Sequence, residues 1–176
     1  MTLQILVVCE GNICRSPMAE RLLAATLVGH DVEVRSAGTR AVVGRGMSEH
    51  SATEVTARGG DAAGFAARQV TEQMVAEADL ILVATRDLRT TTLELAPRAM
   101  KRAFTILEFA ELARQAPDVL TGQELVAWAA DHRPLAADVD QDVPDPVGRP
   151  PEVYRQVADL VEGAVSPIAT ALVEVN

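Results

Sequence analysis

One stretch constrains the fold of this chain more than any other. An apolar run, Ile5-Leu6-Val7-Val8, leads into Cys9-Glu10-Gly11-Asn12-Ile13-Cys14-Arg15-Ser16-Pro17 and then into Met18-Ala19-Glu20-Arg21-Leu22-Leu23-Ala24-Ala25. The first part reads as a buried strand and the last as a strong helix former, so the order is strand, tight loop, helix N-terminus. Such a junction aims unpaired main-chain N–H groups and a positive dipole end into the loop, which suits a phosphate-like anion. The sequence adds a thiol at the start of the loop and a guanidinium six positions later. A nucleophile and a cation therefore share one anion-binding cradle, the arrangement that phosphoryl transfer requires.

The neighbouring residues fit the same chemistry. An ordinary thiol is only about 3% thiolate at pH 7. Making the thiolate dominant takes roughly 4 kcal/mol of selective anion stabilisation, of which a helix dipole supplies at most about 2. The remainder falls to Arg15, to a hydroxyl donor at Ser16, and to the loop N–H groups over Glu10, Gly11, Asn12, Ile13, Cys14 and Ser16, the candidate substrate-binding residues. Gly11 lets the backbone curl without a Cβ, and Asn12 tolerates the left-handed conformation such a nest needs. Pro17 falls in the first helical turn, where its missing N–H costs nothing.

The pattern Val-Cys-x-Gly-Asn-x-Cys-Arg-Ser-Pro resembles the phosphate-binding loop of the low-molecular-weight protein tyrosine phosphatase family. Ser36-Ala37-Gly38-Thr39, Ala78-Asp79-Leu80-Ile81-Leu82-Val83 and Asp145-Pro146 extend the resemblance, which is weakest between Ala113 and Val143. It implies Cys9 as nucleophile, Arg15 as phosphate clamp, and one phosphatase-like domain over residues 1–176 with a less typical segment at 113–143. It also implies that Ser36 supports the loop through Asn12, although a plain strand-end serine reads equally well from the residues alone.

Sixteen basic and twenty-five acidic residues give a net charge of −9, which argues against nucleic acid or an anionic membrane as a partner. It leaves phosphorylated proteins or small phosphoesters open, because screening over about 8 Å leaves the local field of the loop in charge. No apolar stretch is long enough to span a bilayer, and both cysteines lie in the reactive loop, so no disulfide scaffold is expected. Three scattered histidines and two cysteines do not make a metal site, and the chemistry calls for no cofactor. The expectation is a reduced, cytoplasmic hydrolase.

Along the chain, strands are predicted over residues 4–8, 32–36, 79–84 and 103–106. Helices alternate with them: from the loop to Leu27, 48–57, from Thr71, 86–95, 107–114, 121–130, and 151–173, with Pro167 expected to end or kink the last. This alternation predicts an α/β, doubly wound, flavodoxin-like domain with a four-stranded parallel sheet, and Cys9 at the carboxyl edge of the first strand.

A phosphocysteine route also needs an acid to protonate the leaving oxygen and later a base for water. The loop 134–151 offers Asp138, Asp140, Asp142 and Asp145. Asp145 is the candidate, because Pro146 stiffens the loop and the family carries its acid in an Asp-Pro pair; Asp142 is the fallback. The sequence departs from the family at the pocket walls. Val147-Gly148 follows the Asp-Pro pair, and Arg40-Ala41-Val42-Val43 supplies no ring where the family has aromatic residues. Two other readings are an arsenate reductase using an external thiol and a phospho-ligand binder without catalysis. Cys14 is read either as packing at the base of the loop or as a redox partner that traps oxidised Cys9 in a disulfide, the direction in which the resemblance points.

Overall fold

The computed structural model describes residues 1–173. Four strands, β1 (Leu3–Cys9), β2 (Val32–Gly38), β3 (Leu80–Val83) and β4 (Ala103–Thr105), pair in parallel in the order β2-β1-β3-β4. The helices are α1 (Arg15–Thr26), α2 (Glu49–Ala57), α3 (Glu72–Glu77), α4 (Arg86–Leu95), α5 (Ile106–Gln115), α6 (Gly122–Asp131) and α7 (Pro151–Leu172). Short 3-10 turns cover Pro97–Arg102 and Arg133–Ala136.

From Ile5 to Val8 of β1 and throughout β3 the central strands are apolar, because both sheet faces are covered there. Ile5, Val7, Leu80 and Leu82 face one core, packed with Met18 and Leu23 of α1, Phe109 and Leu112 of α5, and Val161, Val165 and Ile168 of α7. Leu6, Val8, Ile81 and Val83 face a second, smaller core with Val70, Val75, Ala78 and Ala99. The period-two alternation of side chains along a strand divides one continuous apolar run between these two cores.

Side-chain caps set the helix starts. Ser48 accepts from Ser51 N, Thr71 from Met74 N and Thr85 from Leu88 N. Thr105 and Glu108 form a reciprocal capping box at the start of α5. The doubly wound parallel architecture matches the expectation from sequence. Pro167 does not: α7 runs through it to Leu172. Proline removes the N–H that would bond the carbonyl four residues earlier. Here that carbonyl, Gly163 O, accepts instead from Arg114 Nη2 at 2.9 Å, so the gap is filled from α5. No described helix is long and apolar enough to cross a membrane.

Candidate active site

Strand β1 lies between β2 and β3, so Cys9 reaches the carboxyl edge of the sheet where successive connections leave in opposite directions, the usual ligand crevice of such sheets. The chain then turns through a left-handed Asn12 (φ 54°) into α1. Asn12, not Gly11, takes this conformation; a Cβ on Gly11 would meet Ile13 and Val42 at ordinary contact distances of 3.6 and 3.9 Å.

Loop carbonyls turn outward. Cys9 O accepts from Thr39 N at 3.0 Å, Glu10 O from Arg40 N at 2.9 Å, Gly11 O from Val42 N at 3.0 Å and Ile13 O from Ser48 N at 2.9 Å. The N–H groups of Glu10 through Ser16 donate to no acceptor among the described residues. The segment after β2 thus takes up the acceptors of the loop and leaves its donors facing inward. Its close approach depends on Gly38, where a Cβ would stand 2.4 Å from Glu10 O.

A buried polar chain supports the sulfur. Ser16 Oγ is 2.9 Å from Cys9 Sγ. Asn12 Nδ2 donates to Ser16 Oγ and to Ser36 Oγ, both at 2.9 Å, and Ser36 Oγ donates to Glu20 Oε2 at 2.5 Å. Arg68 N, which can only donate, bonds Asn12 Oδ1 at 2.9 Å and so fixes which way the amide points. With both amide hydrogens of Asn12 committed, Ser16 accepts from it, and the Ser16 hydroxyl has the sulfur at 2.9 Å and the more distant Ala37 O at 3.4 Å as its two acceptors. Asn12, Ser16, Ser36 and Glu20 are all buried. Sequence reasoning missed Glu20 and Arg68. Glu20 carried a signal, an acidic residue four positions after Ser16 on the same helix face; a main-chain donor at 68 carries none.

Arg15 is 6% exposed at its side chain, and its Nη2 lies 3.3 Å from Asp145 Oδ2. Arg15 Nη1 donates to Val143 O at 3.1 Å, tying the guanidinium to the same loop. Val143 N donates to Ala84 O at 2.8 Å just beyond β3, and Val147 N to Asp145 Oδ1 at 3.1 Å. Asp142 sits elsewhere: its carboxylate accepts from Arg86 N at 2.9 Å and from Arg86 Nη2 at 3.1 Å. The bonds from the Arg86 side chain and main chain hold its carboxyl below the usual carboxylate range. The structure therefore brings Asp145, and not Asp142, to Arg15.

Cys9 and Cys14 are both buried free thiols. Cys14 Sγ lies 3.3 Å from Ser48 Oγ, which bonds Ser51 Oγ at 2.7 Å. Burial pushes the Cys14 thiol up, against the lowering effect of those hydroxyls. Glu10 is half exposed at the mouth and pairs with Arg40 at 3.4 Å. Val42, Val43 and Val147 are exposed, and Val42 lies beside Gly11 of the loop.

The family model described as low molecular weight phosphotyrosine protein phosphatase matches residues 4–124. A protein-arginine-phosphatase of Geobacillus stearothermophilus is 31% identical over 173 residues, covering 98% of this chain and 97% of that protein. The low molecular weight protein-tyrosine-phosphatase Wzb of Salmonella typhi is 29% identical over 169 residues, covering 96% and 93%. Among solved structures, the Erwinia amylovora tyrosine phosphatase amsI superposes with a TM-score of 0.75 at 27% identity, covering 98% of this chain and 94% of its own. A loop with inward donors, a Cys-x5-Arg pair and the same fold agree with these similarities, and this chain belongs to the low molecular weight phosphotyrosine protein phosphatase family.

Proposed function

We propose that this protein hydrolyses phosphorylated side chains of proteins through a phosphocysteine intermediate, within one domain spanning the chain and in the cytoplasm. The observation that supports this most is the row of unpaired N–H groups from Glu10 to Ser16 encircling Cys9. Cys9 attacks phosphorus with its sulfur lone pair while the bond to the leaving oxygen breaks. Arg15 and the loop N–H groups hold the equatorial oxygens, and a bidentate guanidinium matches two of them. Asp145 gives its proton to the leaving oxygen. In the second step its carboxylate takes a proton from water, the water oxygen attacks phosphorus, and the S–P bond breaks to return thiolate and release phosphate.

Phosphotyrosine suits the mouth better than phosphoarginine. The walls supplied by Ile13, Val42 and Val147 are apolar, and Glu10, which could face a guanidinium, is paired with Arg40. The test is turnover of p-nitrophenyl phosphate and of matched phosphotyrosine and phosphoarginine peptides by wild type, Cys9→Ser and Arg15→Lys. Wild type should turn over the aryl phosphates, and phosphotyrosine above phosphoarginine. Cys9→Ser should lose turnover yet still bind phosphate, and Arg15→Lys should lose most activity because a point charge cannot make the planar two-point contact. More than a few per cent of activity in Cys9→Ser would rule out the covalent route.

A further inference from the structure

The mouth of the site differs in charge from the rest of the molecule. The chain carries −9 overall, yet the segments bordering the loop present Arg40, Arg45, Arg68 and Arg149, all exposed. Arg40 is matched by Glu10 and Asp145 by Arg15. Arg45, Arg68 and Arg149 make no ion pair among the described residues. Their backbones are held in place. Gly44 N donates to Ala67 O and Ala67 N to Arg45 O, both at 2.8 Å, which sets Arg45 beside Arg68 on one wall. Arg149 N donates to Pro146 O at 3.0 Å, closing a turn through Gly148 (φ 72°) that carries Arg149 on the opposite wall, beyond Asp145.

The position of these arginines indicates what they meet. Arg15 is buried at the base of the cradle and addresses the phosphoryl group itself. The three uncompensated arginines belong instead to the exposed segments that border the loop. An extended segment advances about 3.3 Å per residue, so the first few side chains on either side pass over this rim. Exposed Val42, Val43 and Val147 lie on the same segments as Arg45 and Arg149 and offer a substrate's side-chain stems an apolar surface.

We infer, resting on the phosphatase reading above, that Arg45, Arg68 and Arg149 select phosphorylated residues flanked on both sides by acidic side chains. The partner is an acidic segment of a phosphoprotein, and the arginines act on recognition, not on the chemical step. Their field also offsets the general repulsion that a −9 protein would exert on such a segment. Each exposed ion pair contributes about 1.4- to 5-fold to an equilibrium constant, so engaging all three gives a preference of about threefold or more at low salt.

The experiment compares kcat/KM for two phosphotyrosine peptides of equal length, one with Asp and Glu at the flanking positions and one with Ser and Gln. It is run at about 0.02 M and about 0.5 M salt, conditions of weak and strong screening. p-Nitrophenyl phosphate is the control, and the variant is Arg45→Gln/Arg149→Gln. Arg68 is left intact because its main-chain N–H holds Asn12. Wild type should prefer the acidic peptide about threefold or more at low salt, through KM, and lose most of that preference at high salt. The variant should reduce the preference at low salt and turn over p-nitrophenyl phosphate like wild type. Equal kcat/KM for the two peptides in wild type, or an undiminished preference in the variant, would overturn the inference while leaving the phosphatase reading intact. Absence of p-nitrophenyl phosphate turnover in wild type would instead overturn that reading and this one with it.

Discussion

Arg15 Nη2 stands 3.3 Å from Asp145 Oδ2, although the residues are 130 positions apart in sequence. The candidate phosphate clamp and the candidate acid therefore meet before any substrate arrives. A phosphoryl group entering the cradle competes for the guanidinium, and Asp145, 44% exposed, is free to turn toward the leaving oxygen.

Asp145→Asn should lower kcat by about 10² to 10⁴ with little change in KM, the size expected for loss of a general acid. The loss should shrink for substrates with good leaving groups, which need little protonation. Steady-state kinetics over a series of aryl phosphates checks this. A uniform loss across leaving groups would mean that Asp145 only positions Arg15.

Asp142 has a different task, anchoring the loop to Arg86 at the start of α4. Its folded carboxyl titrates below the ordinary value of 3.8. The pair therefore stabilises the fold fully above about pH 4, and that contribution is lost as pH falls through the folded value. The carboxylate is 39% exposed and the guanidinium 62%, so solvent screening keeps the effect small. Urea unfolding of Asp142→Asn should show a small destabilisation at pH 7 and a smaller one near pH 2. An equal loss at both pH values would assign the effect to packing.

Glu20 is expected to act through Ser36 and Asn12 as a positioning residue for Cys9. Its carboxylate can only accept, which obliges Ser36 to donate to it and to accept from Asn12. Glu20→Gln introduces a donor at that end and removes the obligation. Hydrogen bonds to charged groups contribute about 1.5–3 kcal/mol, so a stability loss of that order is expected. A purely structural role would stop there. The positioning role also predicts that the pH–rate profile for kcat/KM moves to higher pH, and an unmoved profile would exclude it.

Cys14 lies beside the nucleophile, protonated more firmly than an ordinary thiol because it is buried. Peroxide oxidises a thiolate to sulfenic acid, and a neighbouring thiol can displace water from it to form a disulfide. Peroxide should thus inactivate wild type in a way dithiothreitol reverses, with phosphate protecting. Cys14→Ser should keep activity but lose the recovery as Cys9 passes to sulfinic acid. Intact mass should show a loss of about two daltons in oxidised wild type. Equal recovery in Cys14→Ser would leave Cys14 as packing.

What was legible in the sequence was local. Cys9, Asn12, Arg15 and Ser16 lie within eight consecutive residues, so strand, loop and helix geometry alone places them around one point. The apolar runs of β1 and β3 announced a parallel sheet covered on both faces, and Thr71 announced a helix start through a cap satisfied within three residues. Tertiary structure decided the rest. Among the four loop aspartates the Asp-Pro pair singled out Asp145 with Asp142 as fallback, and only packing gave the two their partners, Arg86 for Asp142 and Arg15 for Asp145. Pro167 reads as a helix end until Arg114, on another helix, satisfies the carbonyl it orphans. Glu20 beneath Ser36 and the unmatched arginines at the mouth were likewise set by elements distant in sequence. Covalent spacing determines which groups meet within a turn or two, whereas partners across tens of residues are chosen by how helices and loops close over the sheet.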